Sequence, residues 1–145
     1  MKVKGMAHRG HKSKYPENTI AAFKASYELG FSHLELDVQL SKDGVAIIMH
    51  DTTVDRMTNA QGAVKDFTFA ELRELKVGGT ETIPTLEEAL LCAKDKIFVS
   101  IELKQQGDLY EGLEAETLKV IEKTGMMGQV YVNSFDHFSI IKMRE

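Results

Sequence analysis

Three acids and two histidines in this chain stand where strands would end. In His33 to Asp51, HLELDVQLSKDGVAIIMHD, Glu35 and Asp37 alternate with Leu34, Leu36 and Val38. Period two is the repeat of a strand, so both carboxylates project from one face, about 7 Å apart. The apolar run Val45 to Met49 stops at His50-Asp51, Ile97 to Ile101 stops at Glu102-Leu103-Lys104, and Val3 to Ala7 stops at His8-Arg9. Glu35, Asp37 and Glu102 offer hard oxygen donors, a set that suits Mg²⁺, Ca²⁺ or Mn²⁺ better than zinc. Arg9 can grip a phosphate through two parallel N–H donors, and Lys104 adds a point charge. His8 and His50 lie on separate strand ends and can flank a phosphorus atom. One would take a proton from the attacking oxygen while the other gives one to the leaving alcohol, which contributes about 10²–10⁴-fold in rate. A cation would stabilise charge on the non-bridging oxygens. Together these groups suit cleavage of a phosphodiester.

The elements that must position them alternate between strand and helix. After the first strand, Pro16-Glu17-Asn18-Thr19 opens a helix with Asn18 as its expected cap and Gly30 as its stop. The carboxylate strand and the strand ending at His50 follow. Residues 52–84 break the rhythm and read as a small insertion after the third strand, with a capping box at Thr68 and Glu71. Thr85 and Glu88 repeat that box and open LEEALLCAKD. A buried strand from Ile97, a helix from about Tyr110 to Thr124, a fifth strand at Val130 to Val132 and a final helical stretch with Phe138 and Ile141 complete the series. Such alternation implies a mainly parallel sheet whose carboxyl ends share one rim, where active sites of barrels and open α/β sheets form. Between Asp37 and Val45 no crossover helix fits. Either the chain drops back extended, or residues 35–50 form a hairpin about Lys42-Asp43 in which Glu35 faces His50. Asp51 also has two readings, orienting His50 or capping the next turn.

At 145 residues the chain reads as a single domain with enough length for a real core. Its net charge of −4 argues against bulk attraction to nucleic acid or anionic membrane, so a phosphate site must be local. One cysteine, Cys92, excludes an internal disulfide and a Cys-rich zinc site. No apolar leader and no run of membrane-spanning length is present, so cytoplasmic residence without stable membrane insertion is expected. Nothing in the sequence sets the oligomeric state.

Taken in order, AHRG, PENT, ELDV with KDG, HD, ELK and SF resemble the glycerophosphodiester phosphodiesterases from about Gly5 to Phe135. The resemblance implies a TIM (β/α)₈ barrel with a small insertion after the third strand. It matches Glu35, Asp37 and Glu102 to metal ligands, His8 and His50 to the acid–base pair, and Arg9 and Lys104 to phosphate contacts. Glu17 and Asn18 fall in the PENT segment, which is expected to brace the first loop. The implied reaction is hydrolysis of a deacylated phospholipid, such as glycerophosphocholine, to glycerol 3-phosphate and an alcohol. A sphingomyelinase D-like or phospholipase activity, or a silent fragment that binds metal or phosphate, are the alternatives. Barrels of this kind carry eight strands in about 250 residues. Five parallel strands are expected here, so the chain is expected to be an incomplete barrel, the N-terminal portion of a longer enzyme.

Overall fold

The computed structural model describes residues 5–106, 109–134 and 137–144. Val3 at the start of the expected first strand, Phe135 of the SF segment and the side chain of Phe138 lie outside the described residues. The elements run β1 (Met6–His8), α1 (Ile20–Glu28), β2 (His33–Leu40), β3 (Ala46–Ile48), a short 3-10 helix (Val64–Asp66), α2 (Phe69–Glu74), α3 (Leu86–Ala93), β4 (Phe98–Leu103), α4 (Leu113–Thr124), β5 (Val130–Ser134) and α5 (His137–Arg144).

One sheet holds all five strands in the order β1-β2-β4-β5, with β3 added on β2. β1, β2, β4 and β5 are mutually parallel, while β3 runs antiparallel to β2. The expected set of five parallel strands is therefore four plus a hairpin arm. Among the described residues the sheet remains open and does not close into a barrel. Val38 pairs with Leu103 on one side and Ile48 on the other, so β1 and β3 share one flank of β2 in succession.

The hairpin forms, but not in the expected register. Val38 pairs with Ile48 and Leu40 with Ala46, one residue away from the register that puts Glu35 opposite His50. The turn explains the slip. Ser41 N donates to Val45 O at 3.0 Å, closing a loop of three residues rather than two. Gly44, at φ 80°, supplies the left-handed residue that such loops use. Ser41 Oγ, which accepts from Val45 N at 3.0 Å, completes the turn.

Behind the sheet, Leu34, Leu36, Val38, Val99 and Ile101 pack against Phe23 of α1, Leu86 and Leu90 of α3, and Leu113 and Ile121 of α4. These side chains are at most 3% exposed, and each contributes about 1.5–3 kcal/mol relative to an exposed state. With that face committed to the core, alternation drives Glu35, Asp37 and Gln39 onto the other face of β2. The insertion carries a second cluster, Val54, Val64, Leu72, Val77 and Ile83, built against Ile47 and Met49 at the outer side of β3. Both expected capping boxes are present, Thr68 with Glu71 and Thr85 with Glu88.

The start of α1 differs from expectation. Thr19, not Asn18, is the N-cap, its Oγ1 accepting from Ala22 N at 3.3 Å. Asn18 sits at φ 55° and turns its amide toward Asp37 instead. A buried carboxylate is the stronger acceptor, and Thr19 can cap in its place. α1 also lies close over the first strand end. A Cβ on Gly10 would fall 2.7 Å from that of Ala22, so the third residue of the HRG segment has room only for hydrogen.

Candidate functional site

Glu35 and Asp37 of β2 and Glu102 of β4 bring one oxygen each to within 4.8 Å of one another. The register produces this meeting, because Asp37 and Glu102 are direct partners across the parallel pair. Asp37 is fully buried and Glu35 is 6% exposed. Asn18 Nδ2 donates to Asp37 Oδ2 at 3.0 Å, and Arg9 Nε lies 3.7 Å from the same oxygen. Lys104 Nζ bridges Asp37 Oδ1 at 3.4 Å and Glu102 Oε1 at 3.3 Å. Arg9 N donates to Glu35 Oε2 at 3.1 Å.

These partners treat the two β2 acids differently. Burial first, then the Asp37 charge beside it, pushes the Glu35 carboxyl up to about 8. Burial acts in the same sense on Asp37, but the Asn18 hydrogen bond and the Lys104 charge outweigh it and hold that carboxyl low. The pair thus retains one proton near neutrality, on Glu35. Glu35 Oε1, Asp37 Oδ1 and Asn18 Oδ1 are buried without a hydrogen bond; the 3.4 Å contact of Asp37 Oδ1 with Lys104 is an ion pair lacking hydrogen-bond direction. Buried oxygens are ordinarily satisfied. Unsatisfied oxygens within and beside the carboxyl triad fit a hard divalent cation, which would displace the retained proton.

The two histidines have different surroundings, His8 beside Glu35 and His50 in a cleft shared with Lys104. His8 ends β1; its Nε2 lies 3.5 Å from Glu35 Oε2, and Lys12 Nζ lies 3.2 Å from its Nδ1. An ammonium group can only donate, so neutral His8 carries its hydrogen on Nε2. Burial, then the charges of Arg9 and Lys12, lower its pKa and favour that neutral form. His50 is oriented the other way round. Its Nδ1 donates to Asp51 Oδ1 at 2.8 Å, which leaves Nε2 as the acceptor. Of the two readings of Asp51, orientation of His50 is the one observed. Next to His50 an open cleft of about 470 Å³ is lined by Thr52, Thr53, Lys104, Gln105 and Gln106.

All seven residues expected from the sequence, His8, Arg9, Glu35, Asp37, His50, Glu102 and Lys104, belong to this one rim. Arg9 and Lys104 are engaged there with acids: Arg9 Nη1 reaches Glu17 at 3.3–3.4 Å, and Lys104 spans the carboxylates. Outside the rim, His33 stacks on Phe98 with ring centroids 5.4 Å apart, at the amino ends of the strands as expected.

Two further residues escaped the sequence reading. Gln39 donates from Nε2 to Met49 O at 2.6 Å and to Asp51 O at 2.7 Å, clasping the backbone on either side of His50. It continues the period-two series of Glu35 and Asp37, a signal available in the sequence. Tyr110 OH in turn donates to Gln39 Oε1. The second is Arg56, in the insertion, which bonds Asp51 and Glu17 together. No local pattern marks it.

A glycerophosphodiester phosphodiesterase of Caldanaerobacter subterraneus subsp. tengcongensis is 46% identical over 148 residues, covering 97% of this chain and 61% of the relative. The crystal structure of a glycerophosphodiester phosphodiesterase from Agrobacterium tumefaciens superposes with a TM-score of 0.88 at 31% identity, covering 98% of this chain and 62% of that one. An Oleispira antarctica phosphodiesterase, solved in complex with the product sn-glycerol-3-phosphate, gives 0.91 at 30% identity over 98% of this chain and 61% of that one. The chain spans less than two thirds of the length of each. No helix among the described residues is long and apolar enough to cross a membrane. Residues 8–145 match the profile of the glycerophosphoryl diester phosphodiesterase family, and the chain belongs to that family.

Proposed function

We propose that this chain carries the cation and acid–base centre of a divalent-cation-dependent phosphodiesterase acting on glycerophosphodiesters, the small deacylated phospholipids, and releasing glycerol 3-phosphate and an alcohol. One observation carries the reading: three carboxyl groups within 4.8 Å of one another, with His8 3.5 Å from Glu35 and His50 sharing a cleft with Lys104, which spans Asp37 and Glu102. The glycerol 3-phosphate bound to the Oleispira antarctica relative supports the substrate class.

Glu35, Asp37 and Glu102 would hold Mg²⁺, Ca²⁺ or Mn²⁺, which supplies positive charge against the non-bridging phosphate oxygens. The rest falls to the chain itself. Arg9 has five N–H donors and gives Nη1 to Glu17, so other donors can meet a phosphate oxygen from the His8 side. Lys104 approaches from β4. The Nε2 atoms of His8 and His50 are the proton-moving atoms, because each Nδ1 already faces Lys12 or Asp51. One removes a proton from the attacking oxygen and the other supplies one to the departing alcohol. The cleft beside His50 leaves room for one substituent of the phosphorus.

Release of glycerol 3-phosphate from glycerophosphocholine, followed with His8→Ala and His50→Ala, tests the assignment. Each substitution should lower kcat by about 10²–10⁴ and leave cation affinity, read by calorimetry, unchanged. Full turnover in either variant would remove the acid–base pair. Release of choline and ceramide phosphate from intact sphingomyelin, with no action on glycerophosphocholine, would move the substrate to the sphingomyelinase D-like class. Cation binding with no turnover on any diester would leave a binding role alone.

A further inference from the structure

The geometry points to Arg56 as a positioning residue that locks the His50 imidazole through Asp51, a role that rests on the acid–base reading of His50. Arg56 stands in a turn of the insertion, yet its guanidinium makes two forks at once. Nε and Nη2 donate to Asp51 Oδ2 and Oδ1 at 2.8 and 3.1 Å, while Nη1 and Nη2 donate to Glu17 Oε1 and Oε2 at 3.0 Å each. Asp51 Oδ1 is also the oxygen that accepts from His50 Nδ1 at 2.8 Å. Arg56 therefore fixes the very atom that fixes the ring. Only a guanidinium offers two planar forks in one group; an ammonium group cannot hold both carboxylates in their planes.

The turn that presents Arg56 is itself anchored. Val54 is fully buried, its N donates to Gly62 O at 2.9 Å, and its O accepts Thr58 Oγ1 at 2.7 Å. On the far side, Glu17 also takes Arg9 Nη1, and Arg9 Nε lies 3.7 Å from Asp37. Charges thus alternate without a gap from the carboxylate cluster to the second histidine: Asp37, Arg9, Glu17, Arg56, Asp51, His50. Arg56 joins the half of that series set by the first loop to the half set by the turn after β3. Its own side chain is 48% exposed, where an isolated ion pair contributes little to stability. The double fork serves orientation instead. A tilted or tautomerised His50 would turn Nδ1 toward the substrate or reverse which ring nitrogen carries the hydrogen.

The test uses the 145-residue chain with ¹⁵N-labelled histidine. Imidazole nitrogen shifts report the His50 tautomer whether or not the protein turns over. In the parent, His50 should hold its hydrogen on Nδ1. In Arg56→Met the two tautomers should mix, Asp51→Asn should do the same, and Arg56→Gln, which keeps polarity without the forks, should follow Arg56→Met. Glycerophosphocholine turnover in Arg56→Met should fall by about 10–100-fold in kcat, the usual loss on removing a residue that orients a functional group. KM and cation affinity should not change, and Arg56→Lys should recover stability without recovering kcat. An unchanged His50 signal in Arg56→Met or Arg56→Gln overturns the proposal. So does loss of cooperative unfolding in every Arg56 variant, which would assign the residue to folding. If His50→Ala keeps full activity while the tautomer still shifts in Arg56→Met, the acid–base reading fails and the positioning geometry stands.

Discussion

Cation binding at the Glu35–Asp37–Glu102 cluster should be linked to release of a proton, and the structure sets its size. The Glu35 carboxyl is pushed up to about 8, so at pH 7 only about one molecule in eleven, and at pH 6 about one in a hundred, presents Glu35 ionised beside Asp37. A divalent ion binds the ionised set, so its apparent affinity should drop about tenfold, or about 1.4 kcal/mol, for each pH unit below 8. Above about pH 9 the dependence should vanish. Isothermal titration with Mg²⁺ and Ca²⁺, repeated in buffers of different ionisation enthalpy, reads both quantities. Close to one proton should leave per ion bound at pH 6–7 and none at pH 9. Glu35→Gln, which has no proton to lose, should bind more weakly and show no such slope. An affinity that is flat from pH 6 to 8 in the parent, with no buffer-dependent heat, would refute the retained proton and the cluster as the cation site.

The same asymmetry should appear in cation-free stability. Folded Glu35 binds its proton more tightly than the unfolded chain does, at about 8 against 4.5, so stability should fall as pH rises between those values. Glu35→Gln should remove that slope in denaturant titrations and unfold at higher urea than the parent at pH 8. Asp37→Ala should instead be destabilising, by about 1–3 kcal/mol, because Asn18 Nδ2 loses a buried acceptor at 3.0 Å. If Asp37→Ala proved as stable as Glu35→Gln, the proton would not be partitioned toward Glu35. Tyr110→Phe removes the hydroxyl that donates to buried Gln39 Oε1 and should cost about 1–3 kcal/mol of unfolding free energy. Since Gln39 still holds both carbonyls beside His50, cation affinity should be unaffected; a loss of cation binding in that variant would contradict the separation of the two networks.

Much of the site was legible because its signals are local. Period two in β2 puts Glu35 and Asp37 on one face whatever the sheet around them does, and strand ends at His8, His50 and Glu102 follow from where apolar runs stop. The capping boxes at Thr68 and Thr85 were readable for the same reason, since both partners lie three residues apart. What the sequence left open depends on where distant segments meet. A two-residue and a three-residue turn are both compatible with SKDG, yet they differ by one in register, and the latter pairs Ile48 with Val38 rather than with Asp37. Asn18 resembles a helix cap until the buried carboxylate of Asp37, 19 residues on, competes for its amide. Arg56 and Glu17 are 39 residues apart, and Tyr110 and Gln39 are 71, so no periodicity links them. The retained proton on Glu35 belongs to the same class. Residue types set which groups can ionise, but burial and the neighbours delivered by β4 and the first loop decide which one does.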